Sequence, residues 1–433
     1  MARGLFLAVE EMREAESSTD KKSGLPPAAN SLETTLLDVN EEGANLEQGS
    51  DMLVEASDDI NTLDEVADTI EESAENGGMT PDAAKMAEVA VESIMRRQGM
   101  SMAYNPIASL ESFGSTSSRM SATKLSLESV KEKSKELWSR FTKFISVLAT
   151  KTSEYIKNVF NKLLPVYLER VAELVERVKT SEFEPREIPK KSFIKDLYLN
   201  NEFSPEVVKV ATAKLGEYIG KLVDISSKTE GVIEAFNKVK ANAEDAEAFA
   251  ECEKAIAGIL SSNNLPSGFS MKNGRAYSEE LPGGRVIGYG IPTMGSEEER
   301  KENKSLKNHY AAFKGFFVEL VNKNKFTPPD NINTLDKKEA TVVIGNTFNA
   351  LSSYAAQKTK ILSINNELSK LNKKVATFAT ASEGEDNKAV TVNIKELAKT
   401  MMAMVSSATT SFNKVIFSSS KAAMDYVEIS IKE

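Results

Sequence analysis

The sequence predicts a mainly α protein: a multi-helix bundle with long antiparallel C-terminal helices, one small β-hairpin insert and a loosely attached acidic helical N-terminal region. Three observations predict this class. Apolar residues recur at intervals of three and four over most of the 433 residues. Glycine, with 22 residues, and the aromatic residues, at 7%, are sparse. Turn signals beside short strand-like runs are confined to the segment 265–295.

The charge of the chain changes sign along its length. Residues 1–111 contain 24 acidic and 7 basic side chains, a net charge of −17, and the remaining 40 acidic and 47 basic side chains give a net charge of +7. The change falls within 101–129, which is rich in Ser, Met and Gly and lacks a helical repeat. We therefore predict five segments: an acidic propeptide-like region (1–111), basic amphipathic helices (112–191), a helical segment (192–262), a β-hairpin insert (263–295) and a long-helix bundle (296–433).

The acidic region contains two kinds of helix signal. Residues 17–30 form a flexible joint of Ser, Gly and Pro. Leu, Ile and Met residues between 33 and 74 then form an incomplete apolar stripe, which predicts short helices with little core. Thr80-Pro81-Asp82 predicts a firm helix start, because Thr caps, Pro suits the first position and Asp faces the positive end of the helix dipole. Arg96 and Arg97 suit the end of that helix.

The basic region predicts long amphipathic helices. From Leu127 to Val178, apolar residues recur at helical spacing with Lys and Arg on the opposite face. Pro165 predicts a kink or break just before it, since proline removes a backbone donor and crowds the preceding turn. After a linker at 181–191, Ser204-Pro205-Glu206 starts the helices that continue to Leu260.

The insert and the C-terminal helices complete the predicted fold. Asn273-Gly274 and Pro282-Gly283-Gly284 are turn signals, and the runs beside them predict a hairpin or a three-stranded flap. A helix at 296–324 follows. The last two helices have the most regular apolar spacing in the chain, which predicts a long antiparallel pair. The strands are predicted at Arg275–Glu280 and Arg285–Ile291, and the paired helices at Ile344–Phe378 and Ile394–Val415, joined by a polar loop at 382–387.

Residues suited to catalysis or metal binding are scarce. The single histidine, His309, lies on a polar stretch and is expected at the surface, and the single cysteine, Cys252, is expected to be a small buried residue. These counts exclude a disulfide framework and any Cys- or His-cluster metal site within the chain. Gly288-Tyr289-Gly290 lacks the third glycine of a dinucleotide fingerprint and is expected in a turn. We predict no enzyme activity and no cofactor.

Targeting and membrane signals are also missing from the sequence. The apolar run Leu5–Val9 is too short for a secretory signal and is followed by acids where a cleavage site should lie. No stretch approaches the uncharged length of a membrane span. We expect a protein made in the cytosol and kept there or in a particle assembled there.

The lysine-rich helix has three interpretations. It presents a solvated polar face over an apolar stripe, or a surface facing nucleic-acid phosphates, or a membrane-surface helix in which Trp138, Phe141, Phe144 and Ile145 contact lipid. The second interpretation follows from the net positive body, which attracts nucleic acid without reading its sequence. Its candidate DNA-facing residues are Lys131, Lys133, Lys135, Arg140 and Lys143.

Three Ser-Leu-Glu sequences also have two interpretations. A serine followed closely by glutamate is a good helix start, which suits Ser126 best. A small residue two positions before a glutamate in an extended loop instead suits a protease that cuts after glutamate. Ser109-Leu110-Glu111 fits the protease interpretation, because Pro106 favours an extended approach.

An acidic N-terminal region, a small-x-Glu junction and a basic helical body together resemble the internal head proteins of large tailed bacteriophages. Those prohead core or inner-body components are trimmed by a maturation protease that cuts after glutamate in Ser/Ala/Gly-x-Glu motifs. The resemblance implies a cut between Glu111 and Ser112. The matching residues are Ser109, Leu110, Glu111 and Ser112, with Ser126, Leu127, Glu128 and Ser129, and Ser31, Leu32 and Glu33, as secondary candidates.

The resemblance also implies partners and a location. The partners are the prohead protease, other capsid or core proteins and packaged DNA bound without sequence preference. The protein would lie in the host cytoplasm during assembly and in the capsid interior afterwards. The acidic piece would screen the basic surface until the cut separates them, so the trimmed body, 112–433, is expected to bind duplex DNA better than the full chain.

Two rival functions come from other classes. One is a membrane-acting or toxin-like helical protein with an acidic inhibitory pro-region, which would use the segment from Trp138 to Leu148. The other is an uncut cytosolic helical scaffold that binds proteins. The mass of the native protein separates them, because only a processed chain begins at Ser112 or Ser129.

Overall fold

The structure, a computed structural model, describes residues 32–100, 105–238, 258, 265, 268–272, 275–290, 318–322, 326–381 and 388–432. Helices dominate these residues, which confirms the predicted mainly α class. We number the helices in chain order: α1 Leu32–Glu75, α2 Pro81–Arg97, α3 Thr116–Asn158, α4 Leu164–Thr180, α5 Pro205–Lys238, α6 Lys337–Ala356, α7 Lys358–Leu362, α8 Ile364–Ala381 and α9 Lys388–Ser430.

Short strands form two antiparallel sheets in the described residues. One sheet has two strands in the order β1-β6, and the other has four in the order β2-β3-β4-β5. The strands are β1 Glu187–Pro189, β2 Phe269–Lys272, β3 Arg275–Ser278, β4 Arg285–Gly290, β5 Val318–Asn322 and β6 Asn331–Asn333.

The chain forms two compact units. Unit 1 consists of Met1–Ala28, Gln48–Ala149 and Asn372–Lys399, and unit 2 of Ala29–Glu47, Thr150–Leu371 and Thr400–Glu433. The five predicted segments remain a prediction about the sequence.

Helix α1 differs from its prediction, because the acidic stretch forms one helix of 44 residues. Its buried positions in unit 1 alternate at intervals of three and four, a heptad pattern typical of long packed helices. Ala56 and Ala67 complete the stripe that the large apolar residues leave incomplete. The prediction of short helices with little core, and of loose attachment, is therefore wrong. The buried heptad positions, each at most 3% exposed, are Leu53, Ala56, Ile60, Leu63, Ala67 and Ile70.

In unit 1, α1 runs antiparallel to α3. Ser134 Oγ donates to Asp64 Oδ1 at 2.5 Å, and Lys131 Nζ lies 3.2 Å from Glu71 Oε1. The later residue of α3 thus contacts the earlier residue of α1, as in an antiparallel pair. Helix α3 buries its own stripe of fully covered side chains, and the two stripes contribute to the core of unit 1 together with buried side chains of α2. The α3 stripe consists of Thr123, Ser126, Val130, Leu137, Phe141, Phe144 and Leu148.

Helix α2 confirms the predicted start and end. Pro81 is its first residue, and the Thr80 hydroxyl accepts a hydrogen bond from Ala83 N at 3.2 Å. At the other end, Arg97 and Gln98 both donate to the buried carboxylate of Asp59 on α1. These bonds join α2 to α1.

In unit 2, an irregular turn separates the end of α3 from α4, at the position where Pro165 predicts a kink or break. Residues Val159–Leu163 form a π-helix, and Pro165 lies in the first turn of α4. The wider turn removes the clash between the proline ring and the preceding backbone. The predicted start at Pro205 is likewise confirmed, with Val207 N bonded to Ser204 Oγ at 3.2 Å.

The insert confirms two predicted strands and corrects two other predictions. Strands β3 and β4 match the predicted pair, and Gly283 and Gly284 form the turn before β4 with φ of +77° and +63°. However, the predicted helix at 296–324 is wrong at its end, because Val318–Asn322 pairs with β4 as β5. Gly288-Tyr289-Gly290 is part of β4 and not a turn, since Gly288 pairs with both Tyr277 and Glu319.

The C-terminal helices confirm the predicted antiparallel arrangement. Leu335 N donates to Ser430 Oγ at 2.9 Å, and Tyr354 Oη donates to Asn413 Oδ1 at 2.5 Å, so α6 and α9 run in opposite directions. The first of the two predicted helices is divided by turns at Gln357 and Ser363 into α6, α7 and α8. The predicted loop at 382–387 lies outside the described residues, and of the predicted helix at 243–260 the structure describes only Gly258.

Candidate functional site

The candidate cleavage site lies on the surface of unit 1, between α2 and α3. Ser109, Leu110 and Glu111 are exposed, and Leu110–Phe113 form a single turn of 3-10 helix. Two local hydrogen bonds close this turn: Ser112 N donates to Ser109 O at 2.8 Å and Gly114 N donates to Glu111 O at 3.2 Å. The Glu111–Ser112 bond therefore lies in a short exposed turn and not in a long helix.

The exposed turn is anchored on both sides. Before it, Ile107 is buried and Ala108 N donates to Ser126 Oγ on α3 at 3.0 Å. After it, Phe113 is fully buried and its carbonyl oxygen accepts a hydrogen bond from Arg119 Nε at 3.2 Å. The chain thus presents residues 109–111 between two fixed points.

The second Ser-Leu-Glu sequence lies in the middle of α3. Ser126 is fully buried, and its hydroxyl donates to Ala122 O at 2.9 Å. The predicted role of Ser126 as a helix cap is wrong, because α3 already begins at Thr116, where Ser118 N bonds to Ser115 Oγ at 3.3 Å. Leu127, Glu128 and Ser129 continue the same helix.

The third sequence coincides with the beginning of α1. Leu32 and Glu33 are its first two residues, and Ser31 lies outside the described residues. The structure therefore describes only part of this candidate.

The five candidate DNA-facing residues divide into two groups. Lys131 contacts Glu71 on α1, whereas Lys133 and Arg140 contact Glu136 on their own helix at 2.8 and 2.7 Å. Lys135 and Lys143 are exposed and have no carboxylate partner among the residues that the structure describes. Lys135 and Lys143 are therefore the most exposed of the five candidates.

The neighbouring basic side chains lower the pKa of the Glu136 carboxylate. Partial burial raises its pKa, but hydrogen bonds from Lys133 and Arg140 outweigh this effect, so the pKa lies below the ordinary glutamate value. Glu136 therefore stays charged and neutralises part of the basic face.

The aromatic segment of α3 is assigned to the core. Trp138 is 7% exposed, Phe141, Phe144 and Ile145 are fully buried, and the rings of Trp138 and Phe141 stack with centroids 5.3 Å apart. The interpretation of this segment as a membrane-surface helix is wrong for the folded chain, because its apolar side chains already have protein partners. No helix in the described part of the chain is long and apolar enough to cross a membrane.

The described residues offer no candidate metal site, and two residues singled out in the sequence lie outside them. Within the described ranges, no group of three or more His, Cys, Asp and Glu side chains is arranged to hold a metal ion. His309 and Cys252 both lie outside those ranges.

Unit 2 contains a cavity that no sequence motif indicated. Its volume is about 860 Å³, within the range of small-ligand sites. One wall holds a largely buried ion pair between Arg285 and Asp196, and Arg285 Nη1 also donates to Ser418 Oγ at 3.0 Å. Four basic and three acidic side chains line the cavity, so its charge favours neither an anion nor a cation.

Comparison with protein families gives a match over most of the chain. A protein-family model, described as phiKZ-like phage internal head proteins, matches residues 38–428. The match leaves out 37 residues at the N-terminus and five at the C-terminus. Neither the curated proteins nor the solved structures gave a match.

Proposed function

The chain belongs to the phiKZ-like phage internal head proteins, and on that premise we propose that it is made as a precursor and cut after Glu111 while the capsid matures. The family places the protein inside the virion capsid, as a structural component among other capsid components. The proposal adds the processing step, the protease that performs it and an association of the basic body with packaged DNA.

One observation carries the proposed cut: Ser109-Leu110-Glu111 is exposed in a short turn, whereas Ser126-Leu127-Glu128 lies within a long helix with its serine buried. A protease binds its substrate in an extended conformation, so a site in a single exposed turn needs little unfolding. The prohead protease is therefore expected to choose Glu111 over Glu128.

The cut is tested on protein recovered from mature particles. Intact mass and N-terminal peptide analysis are expected to find a chain that begins at Ser112. In particles that carry Glu111→Gln the chain should stay uncut at this position, and the matched Glu128→Gln variant should be cut as usual. A protein that still begins at Met1 in mature particles would contradict the proposal and leave the uncut scaffold as the better interpretation.

We also propose that the body lies against packaged DNA through exposed lysines that contact phosphates without reading bases. Residues 112–433 have a net charge of +7, and Lys135 and Lys143 extend into solvent from α3. Because α1 contributes buried side chains to unit 1, the test of DNA binding uses the full chain and not the isolated body.

The DNA association is measured as the salt dependence of duplex binding. Each phosphate contact contributes about −0.9 to the slope of log K against log salt, so the double substitution Lys135→Gln and Lys143→Gln should reduce the slope by up to about 2. Substitution of Lys131, which faces Glu71, should reduce it less. An unchanged slope in the double variant would contradict a DNA-facing role for this helix.

The membrane-acting alternative has no supporting observation, since the side chains that it needs are buried in unit 1.

A further inference from the structure

We propose that the cut after Glu111 does not release the acidic fragment: the product is a two-chain protein in which residues before the cut stay bound to residues after it. The existence of the cut rests on the proposed function above. The retention of the fragment rests on contacts within each compact unit and can be tested separately.

The core of unit 1 is built from both sides of the cut. Leu53, Ile60 and Leu63 on α1 are fully buried, as are Phe141 and Phe144 on α3. A hydrolysed peptide bond in the exposed turn at 110–113 removes none of these contacts, because the turn itself contributes only Phe113 to the core. Burial of apolar surface does not depend on an unbroken chain.

Polar contacts also join the two sides within unit 1. Lys131 approaches Glu71, Ser134 donates to Asp64, and Met79 N donates to Thr123 Oγ1 at 2.9 Å. Ala108 N donates to Ser126 Oγ three residues before the cut. The last of these bonds keeps the new C-terminal end close to α3.

Unit 2 contains a further contact across the cut. Asn158 Nδ2 on α3 lies 3.0 Å from both carboxylate oxygens of Glu42 on α1, and Gly43 lies against the ring of Tyr155. Within this unit, therefore, residues of the fragment also pack against residues of the body.

Retention changes what the cut does to charge. Glu71 remains beside Lys131 after hydrolysis, so the cut alone does not uncover that lysine. The hypothesis that the cut unmasks the basic surface then requires a second event, such as unfolding of unit 1 or displacement of α1 by another component. The mature particle should contain both fragments in equal amounts.

The experiment uses the full chain with Ser109–Ser112 replaced by the recognition sequence of a site-specific endoprotease. After complete digestion, the two fragments are expected to elute together in size-exclusion chromatography at low and at high salt, and to separate only in denaturing urea. Salt matters because a purely ionic complex would separate at high salt. Elution of the acidic fragment on its own in native buffer would overturn the proposal.

Matched variants keep the result interpretable. Ile60→Ala, which shortens a fully buried side chain of α1, should increase the fraction of free fragment after digestion, and Leu37→Ala, whose side chain is 68% exposed, should not. Circular dichroism before digestion checks that both variants are folded. If Ile60→Ala and Leu37→Ala release equal amounts of fragment, the core contacts do not retain it.

The two proposals fail in different experiments. Mature particles without a Ser112 N-terminus contradict the cut, while the elution of the digested chain still decides retention. Particles with a Ser112 N-terminus but without peptides of 32–100 contradict retention and leave the cut intact.

Discussion

Helices α1 and α3 have opposite surfaces and the same kind of interior. Helix α1 contains 15 acidic and no basic side chains, whereas α3 contains nine basic and four acidic ones. Yet each buries one stripe of side chains at heptad spacing, and the two helices run antiparallel in unit 1. Net charge therefore describes the surface that a helix presents to solvent. It does not predict whether the helix packs into the core.

The largest effect is expected when a core side chain is shortened on each helix. Leu53→Ala on α1 should lower the free energy of unfolding by about 2–5 kcal/mol, and Phe141→Ala on α3 by about 3–5 kcal/mol, because each leaves a cavity. Urea unfolding followed by far-UV circular dichroism measures both. The exposed controls Leu37→Ala and Leu125→Ala should change stability by less than about 0.5 kcal/mol. A Leu53→Ala effect as small as that of its control would show that α1 is a peripheral helix.

A second test concerns Asp59, a buried acidic side chain of α1. Asp59 is 3% exposed and accepts hydrogen bonds from Arg97 and Gln98 of the α2 end. Asp59→Ala should cost about 2 kcal/mol, since it leaves a buried amide and a half-buried guanidinium without their acceptor. Asp51→Ala, at an exposed position of the same helix, is the matched control, and equal losses in the two variants would contradict the special role of Asp59.

A third test addresses the entry to α2, which connects the two helices of the comparison. Thr80→Ala removes the cap of Ala83 N and should cost about 1 kcal/mol, whereas Thr80→Ser keeps a hydroxyl and should cost less. The same urea transitions measure both variants. Equal losses would mean that the threonine methyl group, and not the cap, stabilises this turn.

The smallest effect is expected from a charged group of α3. The pKa of Glu136 is lowered in the folded protein, so its stabilisation is fully present above the ordinary glutamate pKa, about 4.3, and is lost as the pH falls through the folded value. Glu136→Gln should cost at most about 0.5–1 kcal/mol at neutral pH, because the carboxylate is partly exposed. The difference from the wild type should vanish in acid, and a difference that grew in acid would contradict this assignment.

Local signals in the sequence predicted local structure well. Thr80-Pro81-Asp82 and Ser204-Pro205-Glu206 each mark a helix start, because caps and prolines act within one turn. Pro165 likewise marked the irregular turn before α4. Ser109-Leu110-Glu111 is exposed, but Leu110 and Glu111 lie in a turn of 3-10 helix and not in the extended loop that Pro106 favours.

Features that depend on distant partners were harder to predict. The heptad stripe of α1 was missed because alanines occupy two of its positions, and alanine becomes a core residue only when the facing helix comes close. Ser126 looked like a cap because the preceding Thr-Ser-Ser-Arg-Met-Ser run lacks an apolar repeat, although it forms the first turns of α3. Strand β5 required β4 as its partner, which local propensity cannot reveal.

The π-helix at Val159–Leu163 adds one residue to a turn without breaking the buried stripe on either side of it. In unit 2, the buried side chains are Thr152 and Ile156 before it, Phe160 and Leu163 within it, and Tyr167, Val171 and Leu174 after it. Because a π-turn takes up its extra residue locally, deleting one residue there should give a regular α-turn that keeps Tyr167 and Leu174 in the interior. The regular turn would bring the ring of Pro165 back against the backbone of the preceding turn, so the cost of the deletion falls on the backbone and not on the core.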